Sequence, residues 1–256
     1  MQNIILTKKQ VDNLSLLSGS NTGTYGRCYE YKGKVLKIFK QDIAPTDYQN
    51  IKANLKRKSD IIMYPESKVY LYDEKLCFKG YLSDKAPGID LSSIRPLIRD
   101  GKEDISFDNF LKGYYDIFLP KLKQEDVILN DIKLEHIFFR DFFCLIDTDW
   151  YVQRPSDMLV KEKDEKNIGK INTYLGNFIF NFVPIEVCND LTFDISLQEK
   201  YSEIYIEKIF EGIVKTTNNE VNTFNELLNY KYRDNCDEPV LYDKDNYYLA
   251  RKRGWI

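Results

Sequence analysis

Apolar and polar positions along this chain change rhythm several times, and each change predicts an element. Thr7-Lys-Lys-Gln10 has the spacing of a capping box, in which a hydroxyl and an amide satisfy free N–H groups at a helix start. A short helix to about Leu14 is expected there, leading into a first strand. Cys28-Tyr-Glu-Tyr31 and Lys34-Val-Leu-Lys37-Ile-Phe39 are strand-like runs on either side of the turn dipeptide Lys32-Gly33, which predicts a hairpin. After Pro45, Thr46-Asp-Tyr-Gln49 repeats the capping spacing, and Tyr48, Ile51 and Leu55 come next at helical intervals. Val69-Tyr-Leu-Tyr72 and the run Leu76 to Leu82, around Asp73-Glu-Lys75, predict a second hairpin. Ala86-Pro-Gly88 then breaks regular structure and suggests a boundary.

The second half is more helical. Phe107 to Leu122 sets Phe110, Leu111, Tyr114, Tyr115, Phe118 and Leu119 on one broad apolar face. Further helices are expected at Ile168 to Phe182, Leu197 to Thr216 and Glu220 to Leu228, with a polar, aromatic tail from Tyr230. Arg251-Lys-Arg253 in that tail reads as a solvated cluster. Between the first helix and the rest lie short apolar strands: Val127-Ile-Leu129, Ile137-Phe-Phe139 and Phe143 to Ile146. Asp131, Lys133, His136 and Asp147 stand at their ends and would face a common cleft if the strands form hairpins. Two acids suit a proton acceptor and a metal ligand, and a lysine beside them suits a transferred phosphate.

Composition narrows the class. The chain has 256 residues, enough for one large or two modest domains. With 37 basic and 40 acidic residues its formal charge is 37 − 40 = −3, so no basic field argues for nucleic acid. The five cysteines (Cys28, Cys77, Cys144, Cys188, Cys236) are widely spaced, which predicts reduced thiols of a cytoplasmic protein. The first ten residues lack the apolar core of a signal peptide. No run approaches the roughly 20 apolar residues of a membrane span, so no membrane partner is expected.

Upstream residues give the acids their context. Asn21-Thr-Gly23-Thr-Tyr-Gly26 precedes the first hairpin, and Lys37 lies inside an apolar strand. A glycine-rich loop, a strand lysine, Asp131-x-Lys133 and Asp147 in that order resemble the protein-kinase-like superfamily. The landmarks run from residue 21 to 147. The resemblance implies an α+β, two-lobed fold: an N-lobe of antiparallel sheet plus helix at 1–84 and a mainly helical C-lobe at 85–256.

It also implies site residues. Gly23 and Gly26 would let the backbone approach phosphate oxygens, and Lys37 would hold the α- and β-phosphates of ATP. The hinge near Tyr81, Leu82 and on to Lys85 would hydrogen-bond the adenine edge through its backbone. Asp131 would be the catalytic base, Lys133 would neutralise the transferred phosphoryl group, and Asp147 would be the main ligand of Mg²⁺ or Mn²⁺. Asp149 is either a second carboxylate at the metal or a cap for the next segment. His136 stands where the family has a metal-binding Asn, and reads either as a nitrogen ligand or as a packing residue beneath the loop.

Departures from the family matter too. Asn21 replaces the first loop glycine, Thr148-Asp149 replace Phe-Gly, no Ala-Pro-Glu occurs after them, and no Glu occurs between Gln41 and Pro65 to pair with Lys37. Asp47, Gln49 and Asn54 are the available substitutes. The expectation is an ATP-dependent kinase-like transferase acting on a small molecule or a protein. The alternatives are a pseudokinase that binds nucleotide or acts as a scaffold, and a kinase-like toxin or effector.

Overall fold

A computed structural model describes residues 3–17, 25–73, 75–184, 187 and 199–230. Gly23, Asn21, Cys188, Cys236 and the Arg251–Arg253 cluster lie outside the described residues. The protein is α+β and comprises two compact units. One is formed by residues 1–87 with 129–131 and 144–153, the other by 88–128, 132–143 and 154–256.

The first unit is built on a five-stranded sheet. Its strands are β1 (Ile4–Thr7), β2 (Gly26–Tyr31), β3 (Lys34–Phe39), β4 (Pro65–Asp73) and β5 (Lys75–Ser83), in the spatial order β1-β4-β5-β3-β2. β1 runs parallel to β4, and the other neighbours are antiparallel. Lys32 and Gly33 both take positive φ, 53° and 77°, as a two-residue primed turn requires, so the first hairpin forms as its sequence predicts. The capping box at Thr7 and Gln10 also forms, starting α1 (Lys8–Asp12). β1 had no alternation long enough to announce it. The strand expected near Leu14 is reduced to a bridge between Leu16 and Tyr29.

Alternation along β3 divides the sheet's two faces. Leu36 and Ile38 join Leu6, Val11, Val69 and Leu82 under α1. Lys37 and Phe39 point the other way, where Phe39 and Tyr81 pack with Ile51 of α2 (Pro45–Asn54). The start of α2 departs from expectation. Ala44 is the N-cap without a side-chain bond, and Pro45 opens the helix, its fixed φ and missing N–H both suited to that position. Thr46 therefore lies one position inside.

The second unit contains β6 (Ile89–Asp90), α3 (Leu91–Arg99), α4 (Phe107–Lys112), α5 (Leu119–Gln124) and β7 (Val127–Ile128). After these come β8 (Ile137–Phe139), α6 (Val160–Phe180), α7 (Tyr205–Thr216) and α8 (Phe224–Leu228). A π-helical turn, Gly113–Phe118, joins α4 to α5 just before Pro120, and the Leu119 N–H donates five residues back to Tyr114. Phe110 is fully buried against the rings of Phe139, Phe143, Phe178, Phe210 and Phe224, which centres this core on aromatic packing. β6 pairs with β8 in antiparallel register.

α6 begins at Val160, well before Ile168, because two inward positions are polar. Buried Lys163 donates to the carbonyls of Lys123 (2.9 Å) and Glu125 (2.6 Å), and buried Asn167 donates to Val127 O at 2.8 Å. These side chains satisfy carbonyls at the end of α5 and along β7, so an apolar stripe is replaced by hooks. Among the described residues, no helix is long and apolar enough to cross a membrane.

Replacing Lys163 by Met should keep the aliphatic stem but leave the two carbonyls without their donor, at a cost of about 1–3 kcal/mol. Urea denaturation of K163M measures this directly, and an unchanged midpoint would show that water replaces the ammonium.

Candidate functional site

The site is assembled on the α2-facing side of the first unit. Register sets Cys28, Lys37 and Tyr81 in one row across β2, β3 and β5. Lys34 goes to the surface, where it pairs with Glu66 and Asp84 at 2.6 Å each, and Lys40 is exposed. Lys37 alone of these turns inward and is 8% exposed. Gly26 makes room for it: a Cβ there would stand 3.2 Å from Lys37 Cε and 3.1 Å from the Ile38 carbonyl. The ammonium also lies near the faces of Phe39 and Tyr81, 5.7 and 5.8 Å from the ring centroids.

Two carboxylates close on that ammonium. Lys37 Nζ donates to Asp149 Oδ2 at 2.5 Å and to the Asp147 carboxylate. Both acids belong to the turn after β9 (Phe143–Leu145), whose Leu145 is tied by 2.7 and 2.9 Å backbone bonds to Ile61 and Met63. Asp147 takes φ 58° and ψ 57°, a left-handed conformation that Asp tolerates better than most residues. A 3-10 turn, Thr148–Trp150, then returns Asp149 toward Lys37.

Other residues hold this turn in place. Asn54, buried at the end of α2, donates through Nδ2 to the carbonyls of Thr148 (2.9 Å) and Tyr151 (3.1 Å). Asn130 donates to Trp150 O at 3.0 Å. Tyr25 meets Trp150 edge-on, with 5.7 Å between ring centroids. Asn54 was a candidate partner for Lys37. It bonds the turn that carries Lys37's partners instead, and no acid of α2 bonds Lys37.

Electrostatics here reflect two carboxylates sharing one ammonium. Burial by itself would pull the Lys37 pKa down. The charges of Asp149 and Asp147, with their hydrogen bonds, outweigh it and hold Lys37 above the ordinary lysine value. Asp149 is pushed above the usual carboxylate range, first by burial and then by repulsion from Asp147, while Lys37 and the Tyr81 hydroxyl offset part of this. Burial raises the Cys28 thiol to about 11, and the Tyr81 phenol goes well above its usual value. Both are neutral near pH 7, so the groups that can carry charge in the cluster are one ammonium, Lys37, and two acids, Asp147 and Asp149. Asp149 Oδ1 and Thr148 Oγ1 are buried without a hydrogen-bond partner among the described residues.

The remaining sequence candidates are divided between the two units. Asp131, in the first unit, is exposed with φ 51°, and its charge reaches the buried Tyr151 phenol together with that of Asp147. Lys133 is exposed and His136 buried in the second unit, around a 3-10 turn, Leu134–His136, closed by a 3.0 Å bond from the His136 N–H to Lys133 O. Tyr81 and Leu82 were expected to offer backbone groups to adenine. Both lie inside β5 with register partners on both sides, Lys37 and Lys68 for Tyr81, Leu36 and Ser67 for Leu82. Backbone outside the ladders begins at Asp84 and Lys85. Tyr81 contributes to the site through its side chain, which β-strand alternation with Lys37's neighbours alone did not reveal. Among the described residues no set of three or more His, Cys, Asp or Glu side chains is arranged to hold a metal ion. No protein-family model matches the chain, and no curated protein does either.

Removing Lys37 should expose the imbalance. Lys37→Met leaves two carboxylates without their cation and should cost about 3–5 kcal/mol, as losing one partner of a buried pair does. Asp149→Asn should leave the melting temperature equal or higher near neutral pH, and should recover part of the loss in the double variant. The pH dependence has a definite sign. Asp149's raised pKa favours the folded state below the unfolded carboxylate value, and that contribution is lost as pH rises through the folded value. Lys37's raised pKa contributes stability through neutral pH, lost only as alkali removes its proton. Thermal melts from pH 3 to 8 on the three variants (conditions spanning roughly the carboxylate and neutral ranges) check the Asp149 contribution, and an Asp149→Asn variant less stable than wild type would contradict the assignment.

Proposed function

We propose that the protein is an ATP- and divalent-metal-dependent phosphotransferase of two-lobed, protein-kinase-like architecture, passing the γ-phosphoryl group to a hydroxyl of a small molecule or protein. The observation that carries this reading is the inward strand lysine bonded to both acids of the Asp147–Asp149 turn. A strand lysine for the phosphates and a turn acid for the metal are the two parts that such chemistry must bring together.

The residues present fit a hard divalent cation. Mg²⁺ is commonly held by one or two carboxylates plus substrate phosphates rather than by an all-protein cage, so two turn acids suffice without a third protein ligand. Asp149 Oδ1 is a buried oxygen without a hydrogen-bond partner among the described residues, and two acids facing one ammonium leave an acid for a second cation to balance. Bound there, the ion would neutralise charge on the phosphates during transfer.

Lys37 would orient the α- and β-phosphates, and Asp147 with Asp149 would hold the metal. Asp131 would accept the proton of the attacking hydroxyl, and Lys133 would balance charge on the transferred group. His136 is the remaining candidate ligand, a nitrogen donor that would favour Mn²⁺. The run Trp150 to Leu159 between the acidic turn and α6 is short. It lacks Ala-Pro-Glu, which supports a small-molecule or unusual protein acceptor.

A second reading, a pseudokinase that binds nucleotide without transfer, is favoured by one feature: α2 presents neutral Asn54 where an acid would position Lys37. Two measurements separate the readings. ATP at about 100 times its dissociation constant, with Mg²⁺ or Mn²⁺, should stabilise the protein by roughly 2.7 kcal/mol. Asp131→Asn should preserve that stabilisation and cut phosphoryl transfer by about 10²–10⁴-fold. No melting shift with either metal would remove the nucleotide premise, whereas binding without turnover in wild type would select the pseudokinase.

A further inference from the structure

We propose that Asp149 makes nucleotide binding depend on a divalent metal, by competing with phosphate for Lys37. The inference rests on the nucleotide site just described and adds a specificity role that none of the assignments above requires. Its basis is the way Lys37 is satisfied. The ammonium is 8% exposed, bonded to Asp149 Oδ2 at 2.5 Å and to the Asp147 carboxylate, and roofed by Phe39 and Tyr81. Cys28 and Tyr81, the other titratable groups against it, are held neutral by burial and add no charge.

A metal-free triphosphate meets this cluster at a disadvantage. To reach Lys37 it must displace a carboxylate, and the displaced Asp149 has no other cation among its contacts and no room to hydrate, being 4% exposed. Phosphate would also approach two acidic side chains that share a single ammonium. A divalent ion changes both conditions at once. It gives the two acids, including Asp149 Oδ1, which has no hydrogen-bond partner among the described residues, a new counter-charge of +2. Lys37 is then released to phosphate without leaving a buried acid unpaired. By linkage, nucleotide must tighten metal binding by the same factor.

Asp147 cannot exert this control by itself, because its side chain is 26% exposed and can hydrate when Lys37 leaves. Asp149 is the deeper acid, at 6%, and the one whose charge burial opposes. The equivalent neutral side chain, asparagine, fills the same space and can still accept from Lys37.

The test is calorimetric titration of ATP into the full chain, in EDTA and in Mg²⁺, for wild type, Asp149→Asn and Asp149→Asn/Lys37→Met. Wild type should bind ATP at least about tenfold more weakly in EDTA than in Mg²⁺. Asp149→Asn should bind metal-free ATP at least about tenfold more tightly than wild type, a modest expectation for one unit charge at contact distance. Adding Lys37→Met should abolish that gain. A melting curve checks folding, and Asp149→Ala serves in place of Asp149→Asn if the latter is unfolded. If wild type binds ATP better with metal while the Asp149 single variant shows no gain in EDTA, the inference fails and the nucleotide site stands. It also fails if the gain survives loss of Lys37, or if wild type is indifferent to metal. Absence of ATP binding in every protein under both conditions overturns the inference and the phosphotransferase reading together.

Discussion

The ionic contact of Lys37 with Asp147 and Asp149 is the constraint on which the first unit's organisation depends. An ammonium in an apolar strand is tolerated only with a counter-charge at hand. The sheet supplies the position, through the inward phase of β3 and the gap left by Gly26. The counter-charge comes from 110 residues further along the chain. Formation of this contact therefore requires β9 and the turn after it to be docked, which makes the pair a long-range clasp rather than a local ornament. Such contacts carry a high loop-closure cost and reward folding only once both partners are in place.

Two acids against one base leave the clasp incompletely neutralised, and the surroundings show how that is accommodated. Neighbouring Cys28 and Tyr81 stay neutral, so no further negative charge accumulates. Asn54 and Asn130 fix the turn through its carbonyls, using amides that add no charge. Asp147 keeps part of its side chain in water. The imbalance is thus concentrated on Asp149, which is where a buried carboxylate oxygen lacks a partner.

Sequence patterns conveyed the parts governed by local rules. The Thr7 capping box, the Lys32-Gly33 hairpin, the second hairpin and the helical region from Phe107 all arise from spacing alone, and the structure contains each of them. Spacing failed where polar side chains do the work of packing. Lys163 and Asn167 broke the apolar stripe of α6 because they face inward to bond carbonyls, and so its first two turns were missed. The two-strand bridging of Tyr81 was missed for a related reason. The end of β5 was not encoded by any breaker before Ala86, so the ladder's extension through Leu82 depended on partners elsewhere in the chain. For the site, residue types near Lys37 and Asp147 were legible, but their partners were not. Which acid meets which base depends on the αL turn at Asp147, a conformation that Asp permits without announcing.

The neutral residue at the inward end of α2, Asn54, acquires a physical explanation from this arrangement. Lys37 has its two carboxylates from one turn, so a third acid arriving from the helix would set three acids against one ammonium. At distances of a few ångströms each added like charge is costly even at the higher effective dielectric of a protein surface. A neutral residue at the inward end of α2 avoids that cost, and asparagine does more than avoid it. Its amide binds two carbonyls of the very turn that carries the acids, so the helix positions Lys37's partners instead of Lys37 itself. The helix is thus linked to the lysine's partners through the backbone carbonyls of residues 148 and 151. On this view Asn54 and the second turn acid belong to a single solution: two acids supplied by one turn favour a neutral Asn54 and give its amide something to hold.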